Sequence, residues 1–269
     1  MSAVIIITGA SSGIGYDAAV SLAQQGHRVY AVARRVQLME PLKQYGVTPL
    51  YADVTDEETI NKVVDFVLAE AGRIDVLINN AGYGMYGAIE DVSLAEARHQ
   101  FDVNVFGLAA FTRAVLPAMR EAKRGRIINV SSIAGRLTTS FGGWYHATKY
   151  ALEGLSDSLR MELGPLGIEV VLIEPGAIAS QWSDVAIENL ERVAEGGAYE
   201  NSARATAERM RQLYARWASD PQVITRALVQ AVSASRPRTR YVAGFGARPL
   251  LLAHSVLPSR LWDKLARGK

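Results

Sequence analysis

The chain has no cysteine, which excludes disulfides and thiolate metal sites and argues against an oxidising, secreted setting. No sign of charge dominates either. Lys and Arg number 29 against 27 Asp and Glu, and a net charge of +2 makes no electrostatic footprint for a nucleic acid. Long apolar runs are missing as well. The first, "AVIIIT" from Ala3, is too short and too early for a signal peptide, and the longest late one, Leu250 to Leu257, contains His254 and cannot span a bilayer. The four histidines, His27, His99, His146 and His254, show no ligand spacing with one another or with an acidic cluster, so no metal is expected. What these absences leave is a soluble, cytoplasmic protein with a small-molecule partner, no nucleic acid and no transmembrane segment.

Nine prolines are scattered with no low-complexity linker between apolar runs, so residues 1–269 read as one domain with ample length for a core. Short runs rich in β-branched residues alternate with stretches of helical period. The runs are Val4 to Thr8, Arg28 to Val32, Thr48 to Tyr51, Val76 to Asn79, Arg126 to Val130 and Glu169 to Ile173, with a seventh at Tyr241 to Ala243. Nearly continuous apolar strands imply burial on both faces, hence an α/β protein with a doubly wound parallel sheet of seven strands and helices on each side. Thr55 with Glu58 and Ser93 with Glu96 fit reciprocal helix caps, and Asp220 followed by Pro221 marks another helix start. Over about 177–220 the strand rhythm stops. There Met210, Leu213, Tyr214 and Trp217 follow the i, i+3, i+4, i+7 spacing of a helix packed on the core, a role compatible with a substrate lid, which must also bury one face.

After the first strand comes "TGASSGIG", Thr8 to Gly15, opening a helix. Gly9, Gly13 and Gly15 let backbone N–H groups approach a pyrophosphate at a helix N-terminus, where the dipole favours an anion. Three residues separate the first two glycines, unlike the G-x-G-x-x-G fingerprint. Further on, "WYHATK" sets Tyr145 four residues before Lys149, on one helix face. A phenol titrates near 10, and a cation about 4 Å away contributes on the order of 4 kcal/mol at an effective dielectric near 20, nearly three pKa units. On that basis Lys149 would poise Tyr145 for proton transfer.

"TGASSGIG", "NNAG" at Asn79 to Gly82, Ser132, Tyr145 and Lys149 together resemble the short-chain dehydrogenase/reductase family, in its single-domain branch, densely over about Ala3 to Ala179. The resemblance implies a Rossmann-type fold and a nicotinamide cofactor held by Gly9, Ser11, Ser12, Gly13, Ile14 and Gly15, by Asn80, Ala81 and Gly82, and by Pro175, Gly176, Ile178 and Ser180. Asp53 would accept from the adenine amino group with Val54 against the ring, Asn80 would pack on the adenosine ribose or brace strand ends, and Gly176 and Ile178 would hold the carboxamide. Where an NAD-binding fold offers an acid after the second strand, this chain reads "YAVARR": Ala33 takes that place and Arg34 and Arg35 follow, which favours a 2′-phosphate and so NADP(H). Ser12 adds no further basic group.

The resemblance also implies catalytic roles. Tyr145 would give the proton while Lys149 poises it and holds the nicotinamide ribose. Ser132, 13 residues before Tyr145, would hydrogen-bond the substrate oxygen, with Ser131 at a less critical position. Asn104 would bind, through its backbone carbonyl, a water linking Lys149 to solvent, or would simply bend a helix. The segments that these motifs leave free, at 82–87, 134–137, 141–144 and from Ile178 onward, including Trp182, are mostly aromatic and apolar, which suits a bulky hydrophobic ketone or secondary alcohol. An NADP(H)-dependent carbonyl reductase or hydroxysteroid-type dehydrogenase is the first reading. A non-catalytic NADP(H)-sensing protein and a 3-oxoacyl-type reductase are the rivals, the latter asking for a basic docking patch that Arg136 alone does not make. The extension at about 245–269 is expected to pack on the protein, ahead of contacting a second subunit or lying on a membrane. Family-type assembly through the helix ending near Glu121 and the helix of Tyr145 favours a dimer over a tetramer.

Overall fold

In the computed structural model, residues 2–267 are described, so the last two residues of the extension lie outside the account. Seven strands, β1 (Val4–Thr8), β2 (Arg28–Ala33), β3 (Thr48–Tyr51), β4 (Val76–Asn79), β5 (Gly125–Val130), β6 (Ile168–Pro175) and β7 (Arg240–Ala243), form one sheet in the order β3-β2-β1-β4-β5-β6-β7. Every pairing is parallel. The cause is visible in β1: Ile5 and Ile7 enter an apolar cluster on one face of the sheet, while Val4 and Ile6 enter another on the opposite face. A strand with no polar side has to be covered twice, and each isoleucine withdrawn from water contributes roughly 1.5–3 kcal/mol.

The helices supply that cover. On one face α1 (Gly13–Gln24) packs with α8 (Gln222–Ser233). On the other lie α2 (Glu57–Ala71), α4 (Leu108–Glu121) and α5 (Gly143–Leu163), while α3 (Leu94–Phe101) packs beside α5 with its Ala97 in a smaller cluster with Met85 and Val92. Two helices, α6 (Gln181–Ala194) and α7 (Glu200–Trp217), stand between β6 and α8, and α9 (Ala247–Val256) and α10 (Ser259–Arg267) follow β7. The run Leu94–Glu121 is, by length and composition, apolar enough to cross a membrane, with a mean hydropathy of 1.2, but its Phe111, Val115 and Met119 are fully buried in the core.

Two expected local features differ in detail. Helix α2 is capped by Asp56, whose side chain accepts from the Glu58 N–H, because Thr55 turns its hydroxyl back to Asp53 Oδ1 at 2.8 Å. Ser93 and Glu96 do form the reciprocal cap. Asp220 Oδ1 accepts from the Gln222 N–H at 2.8 Å and opens α8. As for Asn104, a π-helical turn, Asp102–Gly107, joins α3 to α4 around it. Its side chain does not compete with its own helix. Oδ1 accepts from the Tyr83 N–H (3.1 Å), and Nδ2 donates to the Tyr83 carbonyl (2.9 Å) and to Thr148 Oγ1 (3.2 Å), tying the wide turn to α5.

Candidate active site

Parallel strands all end on one edge, and between β1 and β4 the order reverses, opening a crevice where α/β sheets bind ligands. The glycine loop fills its floor. Gly9 has φ +67°, and a Cβ there would lie 2.7 Å from the Ala81 Cα; one at Gly15 would lie 2.6 Å from the Gly9 carbonyl oxygen. Gly13, φ +59°, would bring a Cβ only to ordinary contact with the Ser180 Cβ, at 3.8 Å. Ser12 sits at the N-cap of α1 in an extended conformation with no side-chain cap, so the first-turn N–H donors point outward, unclaimed by it. That combination of close backbone approach and free donors at a positive helix end fits a pyrophosphate. Gly9→Ala is expected to lower stability by about 2 kcal/mol or more, a fall in Tm of at least roughly 4 °C in thermal unfolding, since both the backbone angle and the Cβ are refused.

Asn80 braces the strand ends, its Nδ2 donating to the Thr8 and Gly9 carbonyls, both at 3.1 Å, and it also lines the cavity. At the far side of the loop Arg35 Nη2 donates to Ser11 Oγ (3.2 Å) and reaches Ser12 Oγ (3.5 Å), and the exposed Arg34 pairs with Asp53 at 3.7 Å. Partial burial pushes the Asp53 carboxyl up, but hydrogen bonds from Thr55 and the Arg34 guanidinium outweigh it and hold the pKa below the ordinary value. Two guanidinium groups and two hydroxyls thus gather beside the loop.

Helix α5 begins at Gly143 and buries Tyr145 and Lys149 together on its inner face. Lys149 Nζ donates to the Val130 carbonyl at 2.9 Å and stands 5.9 Å from the Tyr145 ring centre. Ser132, two residues beyond β5, accepts from the Ala134 N–H through Oγ at 3.1 Å and donates its hydroxyl to the Pro175 carbonyl at 3.4 Å, close enough to Tyr145 to act on its pKa. The expected acidic phenol is not what this arrangement makes. Burial pushes the Tyr145 pKa well up, opposed only in part by the Ser132 hydroxyl, and burial pushes Lys149 down to about 8, with Glu153 pulling it back. Desolvation, which residue spacing does not reveal, is the leading cause at both groups. The neighbouring His146 is not a competitor: Nδ1 meets the Ala134 carbonyl (3.0 Å) and Nε2 meets Thr139 (3.1 Å).

One cavity of about 1100 Å³ runs from the glycine loop past Ser132, Tyr145 and Lys149 to α6 and α7. Its lining includes Gly9, Ser11, Ser12, Gly13 and Ile14, Arg34 and Arg35, Asp53 and Val54, Asn80 to Gly82, and Pro175, Gly176, Ile178 and Ser180. Gly15 and Asn104 lie behind the wall, the first against the Asn80 amide, the second against Gly82. At the other end Trp182 packs on the Tyr145 ring (5.0 Å) and on Tyr86 (6.0 Å). Gly84 makes room for that indole, since a Cβ there would meet it at 2.6 Å. Met210, Leu213 and Tyr214 of α7 face the same space, so the helix that covers α6 through Ala203 and Ala207 also walls the chamber. Not foreseen were the Val130 carbonyl that holds Lys149, the Glu153 carboxyl one turn beyond it, and Ala266 of α10 in the cavity wall. Glu153 was legible from its i, i+4 spacing to Lys149; the other two needed the fold. No group of histidines and acids suited to a metal occurs among the described residues.

A glycine-loop crevice continuous with the half-buried Ser132 and the buried Tyr145 and Lys149 defines a dinucleotide-dependent oxidoreductase of the Rossmann type. Residues 3–190 match the short chain dehydrogenase family, and the chain belongs to it. It is 37% identical over 262 residues to the probable short-chain type dehydrogenase/reductase VdlC of Helicobacter pylori, covering 97% of this chain and 96% of that protein. It is 43% identical over 182 residues to a 3-ketodihydrosphingosine reductase of Bacteroides thetaiotaomicron, covering 67% and 66% respectively. A short-chain dehydrogenase structure from Streptomyces avermitilis superposes with a TM-score of 0.83 at 35% identity, over 100% of this chain and 99% of that one.

Proposed function

We propose that this oxidoreductase uses NADP(H) to interconvert a bulky hydrophobic ketone and its secondary alcohol. The observation that carries the reading is the position of Tyr145: its ring closes the inner end of an aromatic chamber, and its cluster borders the crevice of the glycine loop. When bound there, the nicotinamide supplies a hydride to the carbonyl carbon, or accepts one from the alcohol. The chain's own residues manage the oxygen. Ser132 donates a hydrogen bond to it, and Tyr145, kept protonated by burial, passes it the phenolic proton. Lys149, cationic below about pH 8 and anchored on Val130, stabilises the phenolate left behind. Asn104, fixed by three hydrogen bonds, holds the wide helical turn beside Gly82 and so serves as a positioning residue.

Arg34, Arg35, Ser11 and Ser12 support the phosphorylated cofactor, since together they present donors where a ribose 2′-phosphate would lie. In an NADPH-consumption assay, Arg34→Ala/Arg35→Ala is expected to raise KM for NADPH roughly tenfold to hundredfold, the worth of charge-assisted hydrogen bonds, and to leave KM for NADH nearly unchanged. Equal use of NADH by the unaltered enzyme would reject this preference. Tyr86, Leu137, Phe141, Trp182, Met210 and Leu213 support a large apolar substrate. A relative named for ketone reduction agrees with it. Arg136 is spent on the buried Glu174 at 3.0 Å, which weakens the 3-oxoacyl reading. A screen of steroid, retinoid, aryl and acyl ketones tests the class directly: turnover confined to acyl-carrier ketones would overturn it. A cytoplasmic homodimer formed through α4 and α5 completes the proposal, with Tyr150 and Met161 of α5 left 42% and 69% exposed for such a contact.

A further inference from the structure

The helices after β7 have an outward side that nothing in the fold covers. Trp262 pins α10 to the body: it is buried, its indole N–H donates to the Thr138 carbonyl at 3.0 Å, and its ring meets His254 of α9 edge-on at 4.9 Å. Several of the large apolar side chains of the two helices face water. Leu252 and Val256 of α9 are 66% and 68% exposed, and Leu261 and Leu265 of α10 are 51% and 55% exposed. In each pair the spacing of four residues makes a stripe along one helix face.

Charge accompanies both stripes. Arg248 falls on the Leu252 face of α9, and Arg260, Lys264 and Arg267, spaced i, i+4, i+7, share the face of α10 next to Leu261 and Leu265. All four are exposed, and Asp263 is the single acid in the two helices. A short way off, Trp217 and Phe245 stack at 5.6 Å while 52% and 41% exposed, with the Arg216 guanidinium over the indole at 5.2 Å. We propose that this C-terminal helix pair seats the protein on an anionic lipid surface, with Leu252, Val256, Leu261 and Leu265 entering the interface and the basic side chains meeting lipid phosphates.

The composition chooses the occupant. Apolar stripes edged by Lys and Arg are what an interfacial helix needs, since leucines gain from the acyl boundary and each nearby cation from the negative surface potential. A second copy of the chain is disfavoured because a two-fold contact would set one basic face against its equal. Phe245, Leu250, Ala266 and Arg267 also line the cavity, so one end of it opens beside these helices. On the substrate reading above, a lipid-dissolved ketone would have a short path in; the docking itself does not depend on that reading.

The test is cosedimentation of the full chain with vesicles of phosphatidylcholine alone or with roughly a third phosphatidylglycerol, at low and high salt. The protein is expected to pellet with the anionic vesicles, to be released by salt and to ignore the neutral ones. Arg260→Glu/Lys264→Glu should weaken binding about tenfold or more, and Leu261→Glu/Leu265→Glu should abolish it, each with Tm unchanged because these side chains are exposed. Absence of binding to anionic vesicles overturns the proposal. So does undiminished binding of the charge-reversed variant, or a light-scattering result in which the Leu261→Glu/Leu265→Glu variant loses a subunit, which would assign the stripes to contact between copies.

Discussion

Tyr145→Phe is expected to lower kcat for ketone reduction by roughly 10²–10⁴-fold, the range contributed by a positioned proton donor. Binding of NADPH, followed by fluorescence titration, should change little. Stability should hold as well, because the ring keeps its contacts with Tyr86 at 5.7 Å and Trp182 at 5.0 Å and only a buried hydroxyl is removed. The three readouts separate the roles of this residue. Unchanged turnover would reject the proton donor and revive the non-catalytic reading, whereas a large fall in Tm would show that the hydroxyl, and not the ring, holds the site together.

Lys149→Met should abolish turnover and yet stabilise the fold. Burial lowers the Lys149 pKa from 10.5 to about 8, so the unfolded chain binds more protons between these values. Stability therefore rises with pH through that window, and below about pH 8 the folded protein carries the whole cost of the buried cation, about 3 kcal/mol. Methionine removes the charge at similar volume. Leaving the Val130 carbonyl without its donor takes back about 1–2 kcal/mol. The net gain, about 1–2 kcal/mol, should raise Tm by about 2–6 °C near neutral pH in calorimetry and flatten the rise in stability above pH 8. A fall in Tm would show that Lys149 is paid back by its partners in full. In the unaltered enzyme the rate of reduction should decline as pH passes about 8, because the cation that stabilises the Tyr145 phenolate is lost.

Much of this architecture can be read from the chain itself. A run such as "VIIIT" has no polar face, so it admits only a strand covered twice, and the strand ends fell within two residues of the apolar runs. Ser93 and Glu96 specify their cap through side chains three residues apart, a contact too local for tertiary structure to redirect. Thr55 was a different case. Asp56 beside it caps as well, and the choice went to Asp56 once Asp53 had claimed the threonine hydroxyl. Asn104 stands in a π-helical turn whose partners, Tyr83 and Thr148, are remote in sequence and could not be anticipated.

The catalytic cluster shows where such reading ends. Spacing alone determined that Tyr145 and Lys149 share a helix face, that glycines sit where the backbone must approach an anion, and that two arginines follow the second strand. These are matters of covalent geometry and short-range periodicity. Only the tertiary structure decided that burial raises the phenol's pKa, that Lys149 leans on Val130, that Trp182 roofs Tyr145, and that α10 is pinned by one tryptophan with its leucines facing outward. Desolvation and packing depend on what comes to lie within a few ångströms, and that is set by the whole fold.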